Sequence, residues 1–364
     1  MVREIVSWAI VLLLFVGISF STVKLVDRLR SDKETLHVFN WSDYINPELI
    51  TEFEKENDCK VVIDTFDDNE TMLAKMLAGA TGYDVIFPSS YVVPVLKKHE
   101  LVRKLDMEKL PNVVANFDNS YNAVLHDDTF KYSIPYAFSV TGIAVRDDKV
   151  DMVYAKSKGV DKSWDFLLVP ALNKKVCVLN DVREMLGIGL KKNGFSVNST
   201  DDGELKKASE YAISLKKAAR SIDNSEYRVG LANGTYLAAI GYSGDILQVK
   251  QENPDIQVRF FVPNEGSTCC WDEMSITAFC RNVDLAHKFI DFLYEPENAA
   301  RNMEYVCSIQ PNKGMWEFLD DEVKENPMIN FDKSVLNRVE LINDVGDKIR
   351  LHNKWWDEVI KVVR

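Results

Sequence analysis

Short apolar segments alternate with amphipathic helical segments along residues 36–88, and this order limits the possible folds more than any other feature. Asn46-Pro47 is typical of a helix start, and Gly79 is typical of a helix end. Strands that are joined through helices pair in parallel, with helices on the faces of the sheet. The sequence therefore predicts an α/β fold that opens with strand Leu36–Trp41, a helix to about Glu56, strand Lys60–Phe66, a helix capped by Asn69 and strand Asp84–Pro88.

A second α/β unit lies between two long extended segments, residues 130–146 and 258–279. The chain has 364 residues, more than one hydrophobic core usually organises. Extended segments on both sides of an inserted unit indicate that the chain passes twice between two lobes. The predicted elements of this unit are strand Val176–Asn180, helix Glu184–Lys192, helix Glu204–Arg220 and strand Ala238–Tyr242, and a last helix covers Asp344–Arg364.

The N-terminal segment Ile5–Val23 contains no charged residue. Its length is sufficient for a helix that spans a bilayer and exceeds the apolar core of an ordinary signal peptide. We predict that residues 1–35 hold an uncleaved membrane anchor at 5–23 and a linker, with a signal peptide cleaved after Ser21 as the alternative. No cysteine follows the apolar run, so a lipid anchor is not expected. Both alternatives place the rest of the chain outside the cytoplasm.

Composition and motifs exclude several classes of function. The formal net charge of −12 disfavours nucleic acid as a partner. The histidines and cysteines lack the spacing of a zinc site, and neither a nucleophile elbow nor a phosphate-binding loop occurs, so we expect no metal, no cofactor and no enzymatic activity. The six cysteines leave two alternatives open, buried free thiols or a local disulfide among the four between Cys269 and Cys307.

Aromatic and acidic residues follow the predicted strands, where open parallel sheets bind their ligands. Aromatic faces hold methylene chains and attract cations, and carboxylates accept hydrogen bonds from ammonium groups. The pattern predicts a site for a ligand with two or more ammonium groups. Ordinary turn and cap roles are the alternative for the aspartates, and a carboxylate pair such as Asp181 and Glu184 also leaves a glycosidase open. The candidate site residues are Trp41, Ser42, Asp43, Tyr44, Ser89, Tyr91, Asp181, Glu184, Tyr242, Asp245 and Asp272.

Several longer segments are similar to a known family. They include FNWSDYINPELITEFEKE at residues 39–56, YDVIFPSSYVV at 83–93, and WDEMSI at 271–276. Over about residues 36–360 the chain resembles the bacterial spermidine/putrescine-binding proteins of ABC transporters, which are two-lobed periplasmic binding proteins of type II. The resemblance implies two lobes, each a mostly parallel sheet flanked by helices: residues 36–140 plus 271–309 form lobe 1, and residues 141–270 plus 310–364 form lobe 2.

The resemblance also implies a role for each candidate residue of the first lobe. Trp41 and Tyr44 would stack on the polyamine. Ser42 and Asp43 would lie near one of its terminal amines. The remaining lining of this lobe would be Ser89 and Tyr91, with Asp272 as the family's aspartate at the second crossover.

In the second lobe, the resemblance implies that Asp181 and Glu184 bind amine groups. Tyr242 stands where the family usually has tryptophan, and Asp245 matches an acidic position of putrescine-preferring members. An alignment on Trp271 would move the crossover acid to Glu273, but the following Met274-Ser275-Ile276 favours Asp272. Departures from the family pattern are Cys270 in place of an aromatic residue, Ser308 in place of a tyrosine of some members, and Ile342 in place of a polar residue.

Taken together, the resemblance implies an extracytoplasmic protein that binds spermidine, putrescine or both. The lobes would close on the ligand, and the closed form would dock on a membrane-embedded ABC permease. We expect a monomer. The alternatives are a receptor for another organic cation or a peptide and, from a different class, a surface-anchored glycosidase that uses two cleft carboxylates.

Overall fold

The computed structural model describes residues 33–119, 130–150, 156 and 158–362. The predicted anchor at residues 5–23 lies outside these ranges, and no helix within them is long and apolar enough to cross a membrane. The strands are β1 (Glu34–Asn40), β2 (Cys59–Thr65), β3 (Val85–Ile86), β4 (Ile134–Arg146), β5 (Val176–Val178), β6 (Ser221–Ile222), β7 (Ala238–Tyr242), β8 (Val258–Phe261), β9 (Ser267–Ile276) and β10 (Val339–Leu341).

The α-helices vary from single turns to five turns. They are α1 (Pro47–Glu56), α2 (Asn69–Leu77), α3 (Val93–Lys98), α4 (Pro111–Asn116), α5 (Val182–Lys192), α6 (Asp202–Ala218), α7 (Glu226–Asn233), α8 (Ser243–Glu252), α9 (Val283–Leu293), α10 (Pro296–Val306), α11 (Asp321–Lys324), α12 (Lys333–Leu336) and α13 (Ile349–Lys361). Short 3-10 turns lie at Ser90–Val92, Met107–Lys109, Trp164–Leu168, Pro170–Leu172, Met315–Glu317 and Gly346–Lys348.

The predicted order of strands and helices over residues 36–88 is confirmed as β1-α1-β2-α2-β3. Asn46 caps α1 as predicted, because its side chain accepts a hydrogen bond from the backbone N–H of Glu48 at 2.9 Å. The predicted cap of α2 is wrong by one residue. Asp68 accepts the bond from the N–H of Thr71 at 2.6 Å, and Asn69 is the first helical residue. Aspartate and asparagine cap helices equally well, so the local pattern could not separate them.

Strand pairing combines parallel and antiparallel neighbours. The strand order is β2-β1-β3-β9-β4-β7-β5-β6, with β8 beside β4 and β10 beside β9. β1 is parallel to β2 and β3, and β5 is parallel to β6 and β7. The long strands β4 and β9 are antiparallel to each other, and they join these parallel sets through antiparallel pairs with β7 and β3. The expectation of mostly parallel sheets therefore holds within the set β1, β2 and β3 and within the set β5, β6 and β7. In contrast, β4 is antiparallel to all three of its partners, and β9 is parallel only to β10.

The extended segment 258–279 is two strands rather than one. β8 ends at Phe261 and β9 begins at Ser267, and between them Pro263 and Gly266 turn the chain. Gly266 has a φ of +93°, and an added Cβ there would lie 2.3 Å from the carbonyl oxygen of Arg338. Only glycine fits this left-handed, crowded position, so the break between β8 and β9 is built into the backbone.

The buried hydrophobic residues form separate clusters. The largest contains residues of β5, β7 and the second half of β4, and it includes Trp164 and Tyr227. Another contains residues of β1, β3 and α9, with Phe53 and Phe289 among them. The described residues thus contain more than one core, and the exact division into two lobes stays a prediction. All six cysteines are buried and unpaired, so the alternative of free thiols is the one the structure has.

The C-terminal helix α13 packs on the inserted unit. Leu351 and Trp355 contact a cluster that contains Leu186 of α5 and Leu205 of α6. Trp355 Nε1 also donates a hydrogen bond to Asp202 Oδ1 at 2.9 Å. Trp355 therefore helps to hold α13 against the inserted unit.

Candidate functional site

A single cleft collects residues that follow several strands. It encloses about 930 Å³, part of which is open to solvent. Of the eleven predicted site residues, ten line it; Asp43 does not, and its side chain is 61% exposed at the rim. The lining consists of Trp41, Ser42, Tyr44, Phe66, Asp67, Asn69, Ser89, Tyr91, Ser139, Asp181, Glu184, Asn224, Ser225, Arg228, Tyr242, Asp245, Cys270, Asp272, Ser308 and Ile342.

Asp272 lies in β9 with its carboxylate in the cleft and only 6% of the residue exposed. Its Oδ1 accepts a hydrogen bond from Ser89 Oγ, and its Oδ2 accepts one from Tyr44 Oη, both at 2.7 Å. Burial raises the pKa of Asp272 to about 6, and the two hydroxyl donors act in the opposite direction. At neutral pH Asp272 is therefore an oriented carboxylate whose charge no ion pair compensates within the described part of the chain.

The residues beside Asp272 face away from the cleft. Trp271 is fully buried, with its ring centroid 4.9 Å from that of Phe138. Glu273 is buried as well and accepts a hydrogen bond from the Ser133 hydroxyl. Because side chains alternate along a strand, Asp272 and Glu273 cannot share a face. This geometry favours the alignment on Asp272 over the one on Glu273.

Trp41 and Tyr44 contribute aromatic surface from the chain after β1. Trp41 Nε1 donates to the carbonyl oxygen of Phe87 at 2.9 Å, and its ring centroid lies 4.4 Å from that of Phe66. The ring of Tyr44 lies 5.5 Å from that of Tyr136, whose hydroxyl donates to the carbonyl oxygen of Tyr44. Contacts within the protein thus hold both rings in place.

Asn69 organises the hydroxyl groups around Asp272. Its Oδ1 accepts from the backbone N–H of Ser89 at 3.1 Å, and its Nδ2 donates to Ser89 Oγ and Tyr91 Oη, both at 3.0 Å. Since Ser89 Oγ accepts from Asn69, its proton is directed at Asp272. The buried amide therefore sets the direction of a hydrogen bond in the cleft.

The N-terminus of α5 carries two further acids of the cleft, Asp181 and Glu184. Asp181 caps the helix: its Oδ1 accepts from the backbone N–H groups of Arg183 (2.8 Å) and Glu184 (2.9 Å). Glu184 is 3% exposed and accepts a hydrogen bond from the Thr268 hydroxyl. Burial raises the pKa of Glu184 to about 8, and the negative charge of the nearby Asp181 is the second largest cause of this shift. Burial also raises the pKa of Asp181. The capping role predicted as the alternative for Asp181 is real, and the residue lines the cleft as well.

Tyr242 and Asp245 lie at the start of α8. The Tyr227 hydroxyl donates a hydrogen bond to Asp245 Oδ2. Burial raises the pKa of Asp245, while the positive charge of Arg228 opposes this shift. Burial also raises the pKa of the Tyr242 hydroxyl well above its usual value, so this ring is neutral. In this part of the cleft, as near Asp272, the lining therefore includes both an aromatic residue, Tyr242, and an acid, Asp245.

Two arginines lie near these acids but direct their hydrogen bonds elsewhere. The buried Arg183 donates to the carbonyl oxygen of Asn343 at 2.9 Å and to Asn198 Oδ1 at 3.0 Å. Its guanidinium carbon lies 5.7 Å from the ring centroid of Tyr91. The Tyr91 face is therefore already in contact with a cation of the protein.

Arg228 reaches the cleft rim from α7. Its Nη1 lies 3.5 Å from Asp43 Oδ2. Asp43 therefore pairs with an arginine at the rim, and its expected place beside a ligand amine stays a prediction.

Some lining residues were not among the predicted ones. Asp67 follows β2 and Asn224 follows β6, so the same strand-end rule could have found them. Arg228 lies inside α7 and Ser139 inside β4, where no local pattern marks them as site residues. Asn69 resembled a cap, which concealed its role.

The family model described as bacterial extracellular solute-binding protein matches residues 48–330 of this chain. The chain belongs to this family. Its members are extracytoplasmic solute-binding proteins of transporters rather than enzymes. Ten of the predicted residues thus lie in one cleft of a solute-binding protein.

Individual relatives extend this result over nearly the whole chain. The putrescine-binding periplasmic protein PotF of Escherichia coli is 33% identical over 347 residues, which cover 92% of this chain and 93% of PotF. The spermidine/putrescine-binding periplasmic protein of the same organism is 30% identical, with coverage of 90% and 92%. A solved structure, the spermidine/putrescine ABC transporter substrate-binding protein PotD of Streptococcus pneumoniae, is 29% identical, with a TM-score of 0.73 and coverage of 90% and 98%. The mixed α/β fold therefore matches that of periplasmic binding proteins.

Proposed function

We propose that this protein binds a polyamine, spermidine or putrescine, in the cleft and delivers it to an ABC permease. One observation carries the proposal. The cleft brings together five acidic side chains, and none of them forms an ion pair with any residue that the structure describes. A ligand with several ammonium groups is the natural counter-charge for such a site. The five acids are Asp67, Asp181, Glu184, Asp245 and Asp272.

The aromatic residues in the cleft support a ligand with a methylene chain. Trp41, Tyr44 and Tyr242 offer apolar faces next to the acids. Aromatic faces attract ammonium groups and also pack against CH₂ groups. A compact inorganic cation would use the carboxylates but not the rings, so the combination favours an organic polyamine.

The relatives support the same ligand class. The names of the two Escherichia coli proteins state that one binds putrescine and the other spermidine or putrescine. Similarity to both leaves the choice between the two polyamines to experiment. The glycosidase alternative has no comparable support, because the pair Asp181 and Glu184 includes a helix cap.

The arrangement of the whole molecule is part of the proposal. Two lobes, residues 36–140 plus 271–309 and residues 141–270 plus 310–364, would close on the ligand by a hinge motion. The protein would act as a monomer without catalytic activity and without affinity for nucleic acid. A helix at residues 5–23 would tether it to the outer face of the cytoplasmic membrane, so that the full chain fractionates with membranes.

Titration calorimetry on the purified full chain tests the ligand class. Putrescine and spermidine should bind with 1:1 stoichiometry, whereas glutamate and a neutral oligosaccharide should give no heat of binding. Glutamate is the informative negative control, because it shares an amine with the polyamines but adds carboxylates that the acidic cleft should repel. Absence of binding by both polyamines, with an intact circular dichroism spectrum, would contradict the proposal.

A further inference from the structure

We propose that polyamine binding in this cleft releases a proton from Glu184 to solvent, so that ligand affinity depends on pH. This inference rests on the proposed function and concerns the same site. In the ligand-free protein Glu184 is a carboxylic acid, and in the complex it is a carboxylate that faces a ligand ammonium group. The O–H bond of Glu184 breaks, the proton leaves to water, and the ammonium group keeps its own protons.

The described residues compensate the charge of Glu184 only in part, because the positive charge of Arg183 lowers its pKa less than burial and Asp181 raise it. Glu184 is buried in the first turn of α5, but the backbone N–H groups of this turn bond to Asp181 Oδ1. The carboxyl group of Glu184 therefore accepts hydrogen bonds only from side-chain hydroxyl groups among the described residues, those of Thr268 and Thr141. Hydroxyls stabilise a buried carboxylate less than a cation does. Among the residues that the structure describes, Glu184 therefore has no ion-pair partner in the cleft.

The groups that face Glu184 from the surrounding elements are mostly acidic or neutral. Asp181, on the same helix, adds a negative charge, and Asp68 and Glu70 at the start of α2 face Asp181 in turn. Arg183 is the one positive group in this set, but it bonds to Asn343 and Asn198, and His352 of α13 faces Arg183 rather than Glu184. The remaining neighbours are Tyr242 from α8 and the thiols of Cys269 and Cys270 from β9.

The direction of the pKa shift agrees with this geometry. Burial and the charge of Asp181 raise the pKa of Glu184 to about 8, whereas that of Asp272 is raised only to about 6. Burial also raises the pKa of Glu70 to about 8. At pH 7.5 the ligand-free protein therefore holds a proton on Glu184 and on Glu70 but not on Asp272, and Glu70, which does not line the cleft, keeps its proton when the ligand binds. An ammonium group stabilises the ionised form, because an opposite charge nearby lowers the pKa of an acid. Affinity should rise with pH up to about 8 and then level off.

Calorimetry of putrescine binding at pH 7.5, in buffers with different ionisation enthalpies, measures the number of protons released for each ligand bound. The slope of the observed enthalpy against the buffer enthalpy should show release of about 0.8 proton per ligand, the fraction protonated for a pKa near 8. Between pH 6.5 and 8 the dissociation constant should fall roughly fifteenfold for the same reason. Putrescine itself stays doubly charged over this range.

Two variants assign the proton to a residue. Glu184→Gln has no proton to release, so it should bind more weakly and show a slope near zero. Asp272→Asn should also bind more weakly but keep the slope. If Glu184→Gln does not fold or bind, Thr268→Val serves instead. It removes a hydroxyl that favours the ionised form, so proton release should persist to higher pH than in the parent.

The outcomes separate the two proposals. Binding of putrescine without any buffer dependence at pH 7.5 overturns proton release and leaves the proposed function intact. A slope that survives in Glu184→Gln overturns the assignment to this residue. Failure of both polyamines to bind overturns the proposed function itself.

Discussion

Asp272 and Asp181 show how two acids of one cleft can have different chemical surroundings. Both are buried, with 6% and 8% of the residue exposed. Asp272 sits in a strand and receives two side-chain hydroxyl bonds, whereas Asp181 sits at a helix N-terminus and receives two backbone N–H bonds. A helix N-terminus already offsets negative charge, and a strand does not. Two acids that are about equally buried can therefore need different amounts of positive charge from a ligand.

The largest loss of polyamine affinity is expected for Asp272→Asn, and this variant tests the comparison of the two acids directly. Removal of one partner of a buried charge pair typically costs about 2–5 kcal/mol, so putrescine affinity should fall roughly thirtyfold or more. The variant should not melt earlier than the parent at pH 7.5. The pKa of Asp272 is raised on folding, so stability from this group is present at low pH and is lost as the pH rises through about 6. Calorimetric titration and thermal melts measure the two effects.

Asp181→Asn is the matched variant for Asp272→Asn. Asparagine caps helices as well as aspartate does, so α5 should remain intact. Because the helix already offsets part of the charge of Asp181, the loss of affinity should be smaller than for Asp272→Asn. Equal losses in the two variants would mean that the helix terminus makes no difference to ligand binding.

An intermediate effect is expected for Trp41→Ala. A desolvated cation–π contact is worth about 1–2 kcal/mol, which corresponds to a roughly five- to thirtyfold loss of polyamine affinity. The melting temperature should also fall, because the ring packs on Phe66 and bonds to the carbonyl oxygen of Phe87. Affinity and melting temperature are read on the same preparation.

Trp164→Phe is the control for Trp41→Ala. Trp164 is fully buried away from the cleft, and its Nε1 donates to the carbonyl oxygen of Gly266 at 2.9 Å. The variant should lower the melting temperature and leave polyamine affinity unchanged. If Trp41→Ala behaves in the same way, Trp41 is a packing residue and its ring does not hold the ligand.

The smallest effect is expected for Asp43→Ala. Its pair with Arg228 is exposed, and exposed ion pairs contribute less than about 1 kcal/mol. Polyamine affinity should therefore change by less than about fivefold, and the change should disappear at high salt. Asp202→Ala, which breaks an exposed pair with Lys354 elsewhere, is the control. A loss as large as that of Asp272→Asn would place Asp43 beside a ligand amine, as the resemblance implies.

Strand and helix order was predictable because its signals are local. The asparagine and proline at the start of α1 identify a helix start without knowledge of anything else. Antiparallel pairing of β4 and β9 was not predictable in this way. It depends on the direction in which two segments more than a hundred residues apart meet.

The cleft acids were predictable for a similar reason, and their partners were not. Asp181 follows from its position shortly after β5, whereas Asp272, which lies inside β9 rather than at a strand end, follows from the resemblance. Asn69 was concealed, because an asparagine before a helix resembles a cap until its contacts with Ser89 and Tyr91 are seen. Arg228 carries no sequence signal, since arginine in a helix is usually a solvent-exposed residue.

The α/β class, most of the elements and the aromatic and acidic character of the cleft could be predicted from the sequence, because periodicity, caps and residue identity are properties of short segments. Which acids lack a counter-charge depends on the tertiary structure. Glu184 has no ion-pair partner among the described residues, because Asp181 accepts the hydrogen bonds of the N–H groups in its helix turn and Arg183 donates to Asn198 and Asn343. Protonation depends on every group within a few ångströms, and those groups come from segments that only the fold brings together.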